Sequence, residues 1–254
     1  MRPEFIAIVN RVPYLEQGSP QFVERLAQAI TRQVKEDFAP AWGLHPIPVI
    51  AVADGQPVPS RAALVCLVDR IRDVAGAVGR HTMSDTGTAT GLVAVESIQR
   101  LGGTLTSGHD SVSSALSHEV LELMVNPAVN FWADECPERQ VALEVCDPVA
   151  GDSYEIELSP GERISVSNFV WPSWFNSRAA GWKFDHLGLL SRPFEHRATG
   201  YVIAKSRTVM AVREGAELGC ALRDRMNSTD RFARQAASAS DQELSVVSSL
   251  AREA

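Results

Sequence analysis

The chain has 254 residues, 45% of them hydrophobic, enough to bury the core of one large domain or two small ones. Its 24 Lys and Arg against 31 Asp and Glu leave a net charge of −7, which argues against a general binder of nucleic acid or of anionic membrane. No run of 18 apolar residues exists, so no transmembrane helix is expected, and MRPEFIAIVNRV at the N-terminus reads as a strand and not as a signal segment; the expected compartment is cytoplasmic.

Residues 5–12 alternate like a first strand. Ser19-Pro20 marks a helix start, because proline is tolerated at the first helical position. Val23, Leu26, Ala27, Ile30 and Val34 then recur at helical spacing, which predicts an amphipathic helix to about Asp37. Two apolar runs, 46–53 and 62–68, read as strands split by turn-rich DGQPVPS. Residues 80–90, RHTMSDTGTAT, read as a polar loop, 91–98 as another strand, and 102–110 as a second loop. His81 and His109 fall in these loops; either could line the cleft, but a loop histidine is more often simply solvated.

Residues 111–127, SVSSALSHEVLELMVNP, predict the central helix. Asp110 or Ser111 can cap its start, and Asn126-Pro127 stops it, since proline disfavours helix in the residue before it. Val112, Leu116, Val120, Leu123 and Met124 lie along one side, and burial of the last four is expected. His118 and Glu122 project from the same stripe, with Glu119 beside them. Burying such charges without partners costs several kcal/mol each, so the stripe wants either water or a metal ion. The i, i+4 spacing lets the His118 imidazole and the Glu122 carboxylate reach one cation.

Beyond the helix come FWAD at 131–134 and VALEVCDP at 141–148. The second segment places Glu144 and Asp147 within an apolar run that ends at a turn, more like a site than a surface. Residues 153–158 and 162–169 alternate as a hairpin. Trp171, Trp174 and Phe175 crowd near prolines, as in a packed lid or a subdomain core. Residues 184–201 have loop character, 201–204 start a last strand, and the stretch from about 228 has only a weak helical period. Cys66, Cys136, Cys146 and Cys220 show no regular spacing; reduced thiols are expected, with a Cys136–Cys146 bridge as an alternative. The simplest organisation is one α+β domain over 1–205 with a partly helical extension over 206–254.

The ordered set His118-Glu119-x-x-Glu122, Asn126-Pro127, Trp132/Asp134, Glu144/Asp147 and Ser167-Asn168, over roughly residues 80–205, resembles the zincin-like metallopeptidases. More closely, it is similar to bacterial and phage proteins that carry an H-E-x-x-E helix. The resemblance implies a zincin-like mixed sheet packed on the N-terminal helix and on a metal-binding central helix. It also implies a metal-dependent hydrolase, a peptidase, whose partner is a peptide or protein substrate. By likeness to the gluzincins, His118, Glu122 and Glu144 would hold a divalent metal, zinc first among them. Glu119 would activate the metal-held water, Asp147 would accept the N–H of His118, and Ser167 and Asn168 would bond the substrate or the ligand shell. Asp147 as the ligand with Glu144 behind it is the alternative. Two departures from the gluzincin pattern are Glu122 in place of a second histidine and the E-x-x-D spacing of the later pair. The extra carboxylate would make zinc a weaker Lewis acid and suit Mn²⁺ or Ca²⁺ as well. The competing reading is a zincin fold that has lost its chemistry and serves as a binding or structural module.

Overall fold

The computed structural model describes residues 3–17, 21–52, 56–71, 78–84, 87–206 and 210–214. The predicted helix start at Ser19-Pro20 and the tail from 228 lie outside the described residues.

The first layer is a five-stranded mixed sheet in the order β2-β1-β3-β5-β4. Its strands are β1 (Phe5–Asn10), β2 (Val49–Val52), β3 (Ala62–Val68), β4 (Gly79–Met83) and β5 (Ala89–Ala94). The first, second, third and fifth pair in parallel, and β4 runs antiparallel along one edge. Helices α1 (Tyr14–Gln17) and α2 (Phe22–Gln33) follow β1. A wider π-type coil over Val34–Phe38 then leads into α3 (Ala39–Trp42). The helix α4 (Val95–Arg100) follows β5, and the central helix is α5 (Val112–Val125).

β1, β3 and β5 are continuous apolar runs because a parallel sheet is covered on both faces. Ile6, Ile8, Val65, Leu67 and Val93 face α2 and α5 in the main core. Ala7, Val9, Leu64, Cys66, Leu92 and Ala94 belong to a smaller cluster on the opposite face. The α+β class and the mixed sheet agree with expectation.

Two expectations fail locally. Residues 80–90 are not a loop: β4 pairs with β5 from Gly79↔Val93 to Met83↔Ala89, and the hairpin closes through Ser84 N–H on Thr88 O at 2.8 Å. Polarity misled here because the strand is an edge whose side chains Arg80 and His81 line a polar cavity. Nor do residues 91–98 form one strand. The strand stops at Ala94, and Val95 and Ile98 turn one buried face of α4 inward while Glu96 pairs with Arg100 across a turn.

α5 is buried nearly all round, not along one stripe: Leu116, Val120, Leu121 and Leu123 are fully covered, and so are Ser113 and Ser117. Met124 is only half-buried. The reason is a second layer, the hairpin β8 (Ser153–Ser159) and β9 (Glu162–Ser167), which lies against α5 on the side away from the sheet. Ser113 donates its hydroxyl hydrogen to Ser165 O, and Ser117 Oγ accepts from Ser167 N–H, both at 2.6 Å, so one turn of serines joins helix to strand.

A four-stranded antiparallel sheet, order β11-β10-β7-β6, completes the fold. Its strands are β6 (Trp132–Cys136), β7 (Arg139–Ala142), β10 (Tyr201–Ser206) and β11 (Met210–Glu214). Trp174 is fully buried and packs on Phe175 and Phe194, so it belongs to a core. Trp171, Trp174 and Phe175 are not among the residues that line the polar cavity. Cys66, Cys136 and Cys146 are free thiols, Cys136 exposed and Cys146 buried, which removes the alternative bridge.

Candidate metal centre

α5 starts at Ser111, whose side chain accepts the Ser114 N–H, so of the two expected caps the serine serves. It ends at Asn126, which is fully buried. Asn126 Oδ1 accepts the Asn130 and Phe131 N–H groups at 3.0 Å each, and Nδ2 donates to Glu144 Oε1 at 3.4 Å. One side chain thus folds the turn after the helix and holds the loop that carries Glu144. The loop returns past β7, and a short 3₁₀ turn at Asp147–Val149 brings Asp147 back onto the helix.

Four carboxylates and two imidazoles meet there. Glu119, Glu122, Glu144, Asp147 and His81 are each 5% exposed or less, and the His118 side chain keeps 18% exposure. They line a cavity of about 30 Å³ with Gly79, Arg80, Val129, Tyr201 and Ile203, enough for an ion or a water molecule. His118 Nε2 lies 3.2 Å from Glu122 Oε1 and 3.3 Å from Asp147 Oδ1. His81 Nδ1 lies 3.2 Å from Glu119 Oε2 and 3.3 Å from Glu122 Oε2, and its Nε2 faces Glu144 Oε2 at 3.4 Å. The Cys146 N–H donates to Glu122 Oε1 at 3.2 Å.

Two glycines make this approach possible. A Cβ on Gly79 would run into Glu119 Oε1, and one on Gly91 would press on Val65 and on Glu119 Cβ. With small residues at both places, α5 sits close to β4 and β5, and His81 reaches over Glu119 and Glu122.

The electrostatics follow from this crowding. Burial opposes charge on His81, yet Glu144, Glu119 and Glu122 outweigh it and hold its pKa well above the usual imidazole range. Burial likewise opposes charge on His118, and Glu122, Cys146 and Asp147 raise its pKa. Glu119 is pushed up by burial, against the pull of His81 and His118. Glu122 is the exception, because His118 and His81 overcome its burial and hold it below the ordinary carboxylate range. The Cys146 thiol is pushed up by burial.

The donors form two compact sets whose ligand atoms lie within 4.8 Å of one another: His118, Glu122 and Cys146, and His81, Glu122 and Glu144. The three residues expected as ligands, His118, Glu122 and Glu144, are therefore divided between two sets that share Glu122. Asp147 stands at the same His118 nitrogen as Glu122 and not behind the ring. Ser167 sits one contact further out, and its hydroxyl donates to Asn168 O at 2.9 Å. Asn168 turns away from the cavity: its Nδ2 donates to Asp185 Oδ2 at 2.9 Å, and its Oδ1 accepts from Phe169 N–H. His109 is on the surface beside Asp110.

Sequence reasoning gave His81 too little weight, since it was read in a loop; strand alternation with Gly79, which puts both on the face toward α5, was the usable signal. Cys146, one residue before Asp147, had no such signal. Burying four carboxylates against two imidazoles and one guanidinium costs several kcal/mol per uncompensated charge, so the donor set fits a divalent cation. Comparison of the chain with protein families, with curated proteins and with solved structures finds no match to any of them.

Proposed function

We propose that the protein is a metal-dependent hydrolase of peptide bonds, built on a zincin-like sheet and helix. The observation that carries this reading is the convergence of His118, Glu119 and Glu122 with Glu144 and Asp147 on one small buried cavity. His118 and Glu122 would hold the ion together with a carboxylate of the loop around 144–147. Zinc suits the imidazoles, and Mn²⁺ or Ca²⁺ suits the carboxylate excess. When bound, such an ion polarises a carbonyl and makes water acidic near neutral pH.

Glu119 is the proton carrier. It borders the cavity and its burial raises its proton affinity, so it can take a proton from an attacking water and pass it to the leaving amine. A peptide does not fit inside the cavity; it would lie across its mouth. β4 favours a peptide over other substrates, because it is the edge of its sheet and reaches the cavity through Gly79, Arg80 and His81. An extended chain can add to such an edge by backbone hydrogen bonds.

One observation favours the second reading, a silent zincin-like binding module: His81 already lies against Glu119, Glu122 and Glu144 and offsets their charge. Elemental analysis of the purified chain, with peptide hydrolysis by wild type and Glu119→Gln, separates the readings. A metal-loaded wild type that cleaves peptides, at least about a hundredfold faster than a metal-loaded Glu119→Gln variant, supports the hydrolase. Metal without hydrolysis, or no metal at all, leaves the binding module and removes the hydrolase.

A further inference from the structure

We propose that the cavity holds a single zinc ion whose third protein ligand, beside His118 and Glu122, is the thiolate of Cys146. The proposal rests on the metal-site reading above and deepens it. Sulfur takes the place given there to a loop carboxylate, and the choice of metal narrows to zinc. The basis is the way the donors group. His118 and Glu122 share one compact set of ligand atoms, and Cys146 completes it, with a sulfur within 4.8 Å of both. His118 Nε2 and Glu122 Oε1 are 3.2 Å apart, close to the roughly 3.3 Å between neighbouring ligands of a tetrahedral zinc ion. Glu144 is engaged elsewhere: its Oε1 accepts from Asn126 Nδ2, and its Oε2 faces the other imidazole, at His81 Nε2. Asp147 meets His118 Nε2 at 3.3 Å but joins no compact set with Glu122 among the described residues.

A buried cysteine is by default a small apolar residue. Cys66 is one, in the cluster of Ala7, Val9, Leu64 and Leu92 on the opposite face of the sheet. Cys146 is as fully covered, but its surroundings are polar and its backbone is held on both sides. Its N–H donates to Glu122 Oε1 at 3.2 Å, and its C=O accepts the Val149 N–H at 3.0 Å. The C=O of Val145 accepts the Val170 N–H at 2.7 Å, so the sulfur is carried by a fixed stretch of chain. Cys146 does not line the cavity itself. The sulfur therefore meets the ion from the protein side and leaves the cavity side, where Glu119 lies, for water. Charge favours this set, because one thiolate and one carboxylate with a neutral imidazole balance a divalent ion, and a balanced set is what burial tolerates. Sulfur is also a soft donor, which selects zinc over Mn²⁺ or Ca²⁺. When the metal–sulfur bond forms, the S–H bond breaks and its proton leaves to solvent, and no electron changes hands.

The test is a titration of the full chain, stripped with a chelator, with Co²⁺ followed by absorption and with Zn²⁺ followed by calorimetry. One equivalent per chain is expected, and with Co²⁺ a near-ultraviolet sulfur-to-metal charge-transfer band that saturates at that equivalent. Cys146→Ser, its fold checked by circular dichroism, should lose the band and bind Zn²⁺ at least about tenfold more weakly, the scale on which even a partner behind the ligands acts. Cys136→Ser, a change at an exposed thiol, should keep both. A Co²⁺-loaded wild type without the band overturns the thiolate and returns the third place to a carboxylate, with the hydrolase reading intact. That arm needs no variant to fold. A band that survives in Cys146→Ser overturns the thiolate as well. No uptake of either ion overturns the thiolate and the metal-dependent hydrolase together.

Discussion

Gly79 and Glu119 stand so close that a single methyl group between them is excluded, a Cβ at Gly79 falling inside contact distance of Glu119 Oε1. The atom it would strike is the far end of a side chain and not backbone, so the carboxylate yields before the sheet does. Gly79→Ala should therefore keep the fold and move the Glu119 carboxylate, the proposed proton-transfer group. The expected result is lower turnover of a peptide substrate with a near-native melting temperature. Wild-type turnover in a folded Gly79→Ala protein would show that the position of Glu119 does not matter.

The serine contacts between α5 and β9 predict a stability effect without a direct loss of ligands. Ser117 Oγ is the acceptor for the buried Ser167 N–H. Ser117→Ala leaves that donor without its acceptor, at a cost of about 1–3 kcal/mol. Chemical denaturation should show the loss, and a change within about 0.5 kcal/mol would mean that another acceptor or water takes over.

Core and surface leucines should differ sharply. Leu123 is fully buried on α5, and Leu101 is 65% exposed after α4. Leu123→Ala should cost about 2–5 kcal/mol, from lost transfer energy and the cavity left behind, whereas Leu101→Ala should stay within about 0.5 kcal/mol. Equal effects at the two positions would contradict the placement of α5 between the sheet and the hairpin.

What was legible in the sequence was what depends on local period. The apolar spacing of Val23 to Val34, the runs that became β2 and β3, and the capped helix ending at Asn126-Pro127 each follow from neighbours in the chain. What escaped depends on partners far away. β4 is a strand because β5 supplies its hydrogen bonds, and nothing in RHTMSDT announces that pairing. Ser113 and Ser117 look like exposed helix positions, and they are buried only because β9 comes back to meet them. The same holds in the cavity. The i, i+4 pair of His118 and Glu122 could be read directly, and Glu144 and Asp147 could be guessed from their apolar setting. His81 reaches the site across the sheet, 38 residues before Glu119, in a segment whose polarity suggested solvent.

The raised histidines set one pH trend for the ion-free protein and the opposite trend for the ion binding proposed above. His81 and His118 both have folded pKa values well above 6.5, the first against its burial because of Glu144, Glu119 and Glu122, the second because of Glu122, Cys146 and Asp147. A group whose pKa is raised by folding contributes stability that is complete below its unfolded value and is lost as pH climbs through its folded value. Glu119, also raised, adds to that trend. Glu122 is lowered, so its share is present above the ordinary carboxylate range and disappears only in stronger acid. The ion-free protein should thus lose stability steadily as pH rises above about 6.5. A metal ion must replace the same protons, so its affinity should climb over that window, with protons released on binding. Denaturation of the chelator-treated chain between pH 6 and 9, and calorimetry of Zn²⁺ binding in buffers of different ionisation enthalpy, measure the two trends. An ion-free protein that gains stability between pH 6.5 and 9, or ion binding that releases no protons near neutral pH, would mean that His81 and His118 are not charged partners of this carboxylate cluster.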